Sequence, residues 1–216
     1  MKIACIGYRK WSLKIYDFLK EKTNHDFLII RSKKEYDKSK IYNFKPDLVL
    51  FYGWSWIIEQ EMINKYKCVM LHPSPLPKYR GGSPIQNQII NGEETGAVTL
   101  FIMDEGIDTG NIIAQAPMSL SGNILDIFDR MSDIGSKLTL DIIENGYIEK
   151  QQDHTQATSF YRRKKSQSEI TITDLENLTG QQLYNKIRML GDPYPNAFIR
   201  TKDGKKLLIK MAKLGE

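Results

Sequence analysis

Short apolar runs alternate with stretches whose apolar residues recur at helical spacing, and this alternation is the chain's first regularity. Ile3 to Tyr8 is an apolar run closed by Gly7, and Trp11 to Leu19 follows with helical periodicity. Asp26 to Ile30 reads as a second strand. Lys45-Pro46-Asp47 breaks the chain before a third buried run, Leu48 to Tyr52. Ile57 to Tyr66 then reads as a helix and Cys68 to Leu71 as a fourth strand. After Gly92, Ala97 to Asp104 and Gly110 to Gln115 read as two more strands, followed by a long amphipathic helix over Ile124 to Ile143.

Strands alternating with helices predict an α/β fold with a Rossmann-like, mainly parallel sheet and helices on both faces. The pattern changes at Gln151 to a polar stretch ending in Tyr161-Arg162-Arg163-Lys164-Lys165. One helix (Gln181 to Leu190), a turn at Asp192-Pro193-Tyr194-Pro195 and two strands around Asp203-Gly204 follow. This divides the chain into a core over residues 1–158 and a small C-terminal helix and β-hairpin extension over 159–216. No internal repeat interrupts either part.

In sheets of this kind ligands bind at the carboxyl ends of the strands. Gly53 to Trp56 and His72 to Ser74 both sit just past such ends. The first turn carries only Gly7 and no GxGxxG, so a dinucleotide site is unsupported.

Composition narrows the picture modestly. With 216 residues, 41% hydrophobic and 26% charged, the chain is an ordinary globular one, too short for two full-sized domains. The net charge of +5 suits an anionic partner and equally a solvated lysine-rich surface. Cys5 and Cys68 lie inside apolar runs and read as inert core thiols, and no metal-ligand spacing is present. The first apolar run is too short for a signal peptide and no segment is long enough to span a bilayer, so the expected location is cytoplasmic and no membrane partner is expected.

The informative text is Leu71-His72-Pro73-Ser74-Pro75-Leu76-Pro77-Lys78-Tyr79-Arg80-Gly81-Gly82-Ser83-Pro84, followed by Asp108-Thr109-Gly110-Asn111. A histidine at a strand end followed by three prolines starts a rigid loop, because proline fixes φ and removes backbone donors. A carboxylate beside an imidazole fixes its tautomer and raises its basicity. His72 and Asp108 are therefore the candidate catalytic pair.

This stretch resembles the folate-dependent formyltransferase family, which includes branches acting on methionyl-tRNA, on glycinamide ribonucleotide and on amino sugars. The family hallmark is an Asn-x-His loop leading into Pro-Ser-x-Leu-Pro-x-Tyr/Phe-Arg/Lys-Gly, with Asp-x-Gly further on. His72 and Asp108 match the family histidine and aspartate in type and separation. Segments around Ser159 to Arg163, Ile187 to Leu190 and Asp192 to Phe198 also look like family text, so nearly the whole chain is covered.

The resemblance implies 10-formyltetrahydrofolate as formyl donor, with no metal. It implies that the pterin is held at Gly53, Trp54 and Trp56 and at Asp104, Gly106 and Ile107. Each tryptophan could equally pack in the core. One departure stands out. The family's asparagine falls at Met70, whose thioether donates no hydrogen bond. Losing one such donor typically costs about 2.7–4 kcal/mol. Protonated His72, a backbone N–H or a bound water could supply it instead; otherwise the chain is slow, or binds folate without transferring.

The tRNA-acting branch carries a sizeable C-terminal β-barrel, for which the residues after Lys165 are too few. The purine branch usually lacks the Asp-Pro-Tyr-Pro segment. The expected acceptor is therefore a nucleotide-linked amino sugar, a UDP- or dTDP-4-amino-4,6-dideoxyhexose being what the family suggests, and not nucleic acid. Ser74, Lys78, Arg80, Tyr161 and Arg162 are its candidate partners, since arginine makes bidentate bonds to pyrophosphate oxygens. The remaining alternatives are a truncated tRNA-acting enzyme and a folate-binding protein without transferase activity. A homodimer is expected from the sugar-acting branch.

Overall fold

The computed structural model describes residues 1–192 and 194–215; Pro193 of the expected turn lies outside the described residues. The first half of the chain forms β1 (Lys2–Ile6), α1 (Lys10–Lys22), β2 (Asp26–Ile30), α2 (Lys38–Phe44), β3 (Leu48–Phe51), α3 (Gln60–Lys65) and β4 (Cys68–His72). Then come β5 (Arg80–Gly81), α4 (Pro84–Ile90), β6 (Thr95–Ile102), β7 (Ile112–Ser119) and α5 (Ile124–Asn145). The remainder holds β8 (Ser159–Phe160), α6 (Ile172–Asn177), α7 (Gly180–Arg188), β9 (Ala197–Arg200) and β10 (Lys206–Ile209).

Six strands form one sheet in the order β2-β1-β3-β4-β6-β7. The first four neighbours are parallel, β6 runs antiparallel to β4, and β7 antiparallel to β6. The mainly parallel α/β reading holds, with β6 as the one reversed strand. β7 is longer than the expected Gly110 to Gln115 because it runs on through Pro117. Proline is tolerated there because β7 is an edge strand.

Between Lys2 and His72 at their ends the central strands β1, β3 and β4 are apolar throughout, because both faces are covered. Ile3, Cys5, Leu48, Leu50, Val69 and Leu71 face one cluster with Ile15, Leu19, Ile127 and Met131 of α1 and α5. Ala4, Ile6, Val49, Phe51 and Cys68 face the other, with Ile41 of α2 and Met62 of α3. α3 is shorter than the expected Ile57 to Tyr66: it starts after Glu59, and Ile57 stands 98% exposed. α2, α4 and α6 were not legible as helices. Among the described residues no helix is long and apolar enough to cross a membrane.

The C-terminal segment adds Ile170, Ile187, Met189, Leu190 and Ala197 to the same cluster as α1 and α5. It also supplies β8, which pairs in parallel with β5: Arg80 opposite Ser159 and Gly81 opposite Phe160.

One buried hydroxyl ties the strand ends that bear the site. Tyr16, fully buried on α1, accepts from the Tyr52 N–H at 2.8 Å and lies 2.9 and 3.0 Å from the carbonyls of Ile6 and Leu50. Tyr16→Phe leaves that N–H without its partner. The expected cost is about 1–3 kcal/mol, read as a lower urea midpoint at unchanged slope.

Burial also pushes the Cys68 thiol up to about 12 and raises that of Cys5. A thiolate is the reactive form. Neither cysteine should therefore react with a thiol reagent at pH 8 until the protein is unfolded, when both should; labelling followed by mass spectrometry reads this directly.

Candidate active site

β4 delivers His72 to the carboxyl edge of the sheet, where it pairs in register with Thr99 of β6. The proline-rich loop beyond it is pinned by side chains as well as by its prolines. Thr99 donates to the Ser74 carbonyl at 2.6 Å, Gln88 to that of Pro73 at 2.8 Å, and Gln115 to that of Leu76 at 3.1 Å. The Ser74 hydroxyl closes the turn onto the Lys78 carbonyl at 2.7 Å. An imidazole rooted in such a loop has little freedom to wander.

His72 is 5% exposed. Its Nε2 lies 2.8 Å from the Tyr79 carbonyl, an acceptor, so Nε2 carries the hydrogen. Its Nδ1 faces Asp108 Oδ2 at 3.4 Å. That oxygen also accepts from the Gly81 N–H at 2.8 Å. The histidine is thus anchored at one nitrogen and presents the other to a carboxylate that is itself held by a backbone amide.

Two further ties hold this arrangement. Gln152 donates to the carbonyls of Asp108 and Gly110 at 3.0 and 2.7 Å, while its own oxygen accepts from Arg80 Nη2 at 2.6 Å and Nε at 3.1 Å. Gly81 has φ +87, and a side chain at Gly81 or Gly82 would run into the backbone of Phe160 or Arg162 at 2.4 and 2.3 Å. Tyr79, Ser83 and Asp108 adopt left-handed backbone at φ 60, 53 and 56. Strained non-glycine residues of this kind cluster where the surrounding structure holds a functional geometry.

A cavity of about 240 Å³ opens on the pair, with Phe51, Gly53, Trp54, Met70, Gln86 and Arg162 among its walls. Of the residues expected at the site, His72, Asp108, Gly53, Trp54 and Arg162 come together here. The others lie elsewhere. Trp56 is 40% exposed and packs against Tyr8 and Trp54, with ring centroids at 5.0 and 4.7 Å. Asp104 accepts from the Gly106 N–H at 3.0 Å and the Thr109 hydroxyl at 2.6 Å, shaping the exposed loop that carries Ile107 into Asp108. Arg80 is buried and its donors face Gln152 and His154, Lys78 is exposed, and Tyr161 is 97% exposed.

Residues that sequence reasoning passed over are Trp11, Gln86, Phe128, Met131 and Tyr194 in the cavity wall, and Gln152 behind Asp108. Gln86 lies two positions past Pro84, at the end of the motif, and that adjacency was the one available signal. Trp11, Phe128 and Tyr194 also line a second cavity of about 710 Å³, together with Tyr8, Arg9, Lys10 and Lys14. Arg9 lies over the rings of Tyr8 and Tyr194 at 4.7 and 5.4 Å. Lys14 is engaged by Asp133 and Asp129 at 3.0 and 3.5 Å.

A carboxylate-paired imidazole at the carboxyl ends of the parallel strands, beside a partly apolar cavity, is an arrangement that can move a proton. Residues 15–136, more than half the chain, match the family described as formyl transferase, and the chain belongs to that family. It is 32% identical over 177 residues to a methionyl-tRNA formyltransferase of Wolbachia pipientis subsp. Culex pipiens, covering 79% of this chain and 56% of that one. The chain spans about half the length of the curated relatives it matches.

Among solved structures, a methionyl-tRNA formyltransferase from Clostridium thermocellum superposes with a TM-score of 0.85 at 32% identity, covering 97% of each chain. A 4-N formyltransferase from Francisella tularensis superposes with a TM-score of 0.77 at 21% identity, covering 99% of this chain and 98% of that one, a likeness of fold.

Gln152→Met keeps the volume but takes from Arg80 Nε and from two carbonyls the partner they have here. We expect a loss of about 2–3 kcal/mol of stability, measured by denaturant titration, because hydrogen bonds to charged groups are the stronger kind.

Proposed function

We propose that this chain transfers a formyl group from 10-formyltetrahydrofolate to the primary amine of a nucleotide-linked amino sugar. The observation that carries formyl transfer is the His72–Asp108 pair, 3.4 Å apart and opening on a cavity, in a chain of the formyl transferase family. When bound, the folate supplies a formyl carbon attached to its N10. The cavity fits a flat ring: Phe51, Trp54 and Met70 give apolar walls, and Gly53 lines it with backbone alone.

His72 and Asp108 handle the proton. Because Nε2 is committed to the Tyr79 carbonyl, exchange with substrate falls to the Nδ1–Oδ2 edge. That edge takes a proton from the acceptor nitrogen as it bonds to the formyl carbon and returns it to the nitrogen that leaves. General acid–base assistance of this kind is worth about 10²–10⁴ in rate.

The larger cavity supports a small anionic acceptor. It meets the catalytic cavity at Trp11, Phe128 and Tyr194, and its volume of about 710 Å³ is that of a small-molecule site. Tyr8 and Tyr194 give it aromatic walls, and Arg9 and Lys10 offer charge to phosphate beside Asp129 and Asp192.

A second reading, an aminoacyl-tRNA acceptor, is favoured by the 32% identity to a methionyl-tRNA formyltransferase over 79% of this chain. It predicts RNA binding that weakens steeply with salt.

The test incubates the protein with 10-formyltetrahydrofolate and a panel of UDP- and dTDP-linked 4-amino sugars plus methionyl-tRNA, with product read by mass spectrometry. His72→Ala and Asp108→Asn should each cut the rate about 10²-fold or more. Undiminished transfer by His72→Ala would overturn the role given to the pair. Formylation of the tRNA alone would select the second reading.

A further inference from the structure

We propose that Gln86 supplies, through its side-chain Nε2–H, the hydrogen bond that stabilises negative charge on the formyl oxygen during transfer. This rests on the formyl-transfer reading above. As the acceptor nitrogen bonds to the formyl carbon, the carbonyl π pair moves onto oxygen. It returns as the bond from carbon to the leaving nitrogen breaks, with that bond's electron pair going to nitrogen, which then gains the proton. Charge on oxygen exists only between those two events, so a donor aimed at it accelerates the reaction without tightening substrate binding.

Met70, in the cavity wall on β4, offers a thioether and no donor. Several other donors around the cavity are engaged. Gly81 N–H goes to Asp108 and Gly82 N–H to the Phe160 carbonyl, both at 2.8 Å. The Ser55 hydroxyl pairs with Tyr8 at 2.8 Å, and His72 Nε2 holds the Tyr79 carbonyl.

Gln86 differs from all of these. It lies on α4 between Ile85 and Asn87, lines the cavity, is 5% exposed, and its Nε2 is buried with no hydrogen-bond partner among the described residues. Its neighbours on the same helix spend their amides on structure: Asn87 on the Gly82 carbonyl at 2.9 Å and Gln88 on those of Pro73 and Pro84. Leaving a buried amide unpaired is destabilising, so its presence in the wall of the cavity calls for a partner that arrives with substrate. The terminal amide torsion is broad and two-fold, so the NH₂ can turn to the cavity with the backbone fixed.

The decisive variant is Gln86→Met, which keeps length and packing while removing the amide. Its kcat should fall about 10²–10³-fold while folate binding, followed by tryptophan fluorescence, stays within about threefold of the parent. Adding Met70→Asn to Gln86→Met should recover part of the loss by placing an amide on the opposite wall. Independently of turnover, the Gln86 side-chain ¹⁵N amide resonance, assigned by its absence in Gln86→Met, should shift when the parent binds the stable 5-formyl isomer of the folate.

A kcat for Gln86→Met within about threefold of the parent, or a loss seen wholly as weaker folate binding, overturns the proposal. An unmoved resonance at saturating folate does the same. A parent that neither binds folate nor forms product overturns the formyl-transfer reading itself, and this proposal with it; the two failures are told apart by the parent's own behaviour.

Discussion

Asp108 Oδ2 is the atom on which three separate pieces of chain converge. It accepts the Gly81 amide at 2.8 Å while facing His72 Nδ1, so the loop after β4, the loop before β7 and the turn into α4 are fixed by one carboxylate. The amide is available only because Gly81 is pinned in the β5–β8 ladder, and the carboxylate is aimed only because Gln152 holds the backbone carbonyl of the same residue. Arg80, adjacent to Gly81, closes the circuit by donating to Gln152. The pair is therefore built from residues distant in sequence, and the segment around residues 150–160 is part of its support rather than a tail behind it.

How far this was legible varies with the kind of interaction. The strands were readable because each is apolar on both faces, a pattern of types and not of contacts: Ile3 and Cys5 one way, Ala4 and Ile6 the other. His72 and Asp108 were readable because a motif fixes them in register. The role of Arg80 was not readable, since a motif arginine looks the same whether it meets phosphate or Gln152. Gln152 itself sits in polar sequence with nothing to distinguish it. Trp54 and Trp56 show the same limit, because one is 9% exposed in the cavity wall and the other 40% exposed among aromatic rings. Identity and spacing fix what lies on a strand; they do not say which partner a loop side chain finds once the chain returns.

Helix α4 was missed because its polar residues hide its inward face. Ile85, Gln86, Asn87, Gln88 and Ile89 are all buried, so no amphipathic stripe appears in the sequence. Buried amides in a row survive only if each finds work. Asn87 and Gln88 hold the two ends of the proline-rich loop, and Gln86 lines the cavity beside His72.

That division bears on the substitution at Met70. Met70 sits on the face of the sheet that packs with Tyr8, Trp54 and Met62, opposite Phe51 and Phe101 in register. A flexible thioether fills an irregular apolar wall well and leaves no polar group to satisfy. A donor on β4 and a donor on α4 approach the same cavity from different walls. On the proposed formyl-transfer reading, which wall carries it sets how the formyl oxygen is oriented relative to the His72–Asp108 edge, and through that the side from which the amine enters. The larger cavity shares Trp11, Phe128 and Tyr194 with this one, so on the proposed formyl-transfer reading the exchange of asparagine for methionine and the shape of the acceptor path are coupled.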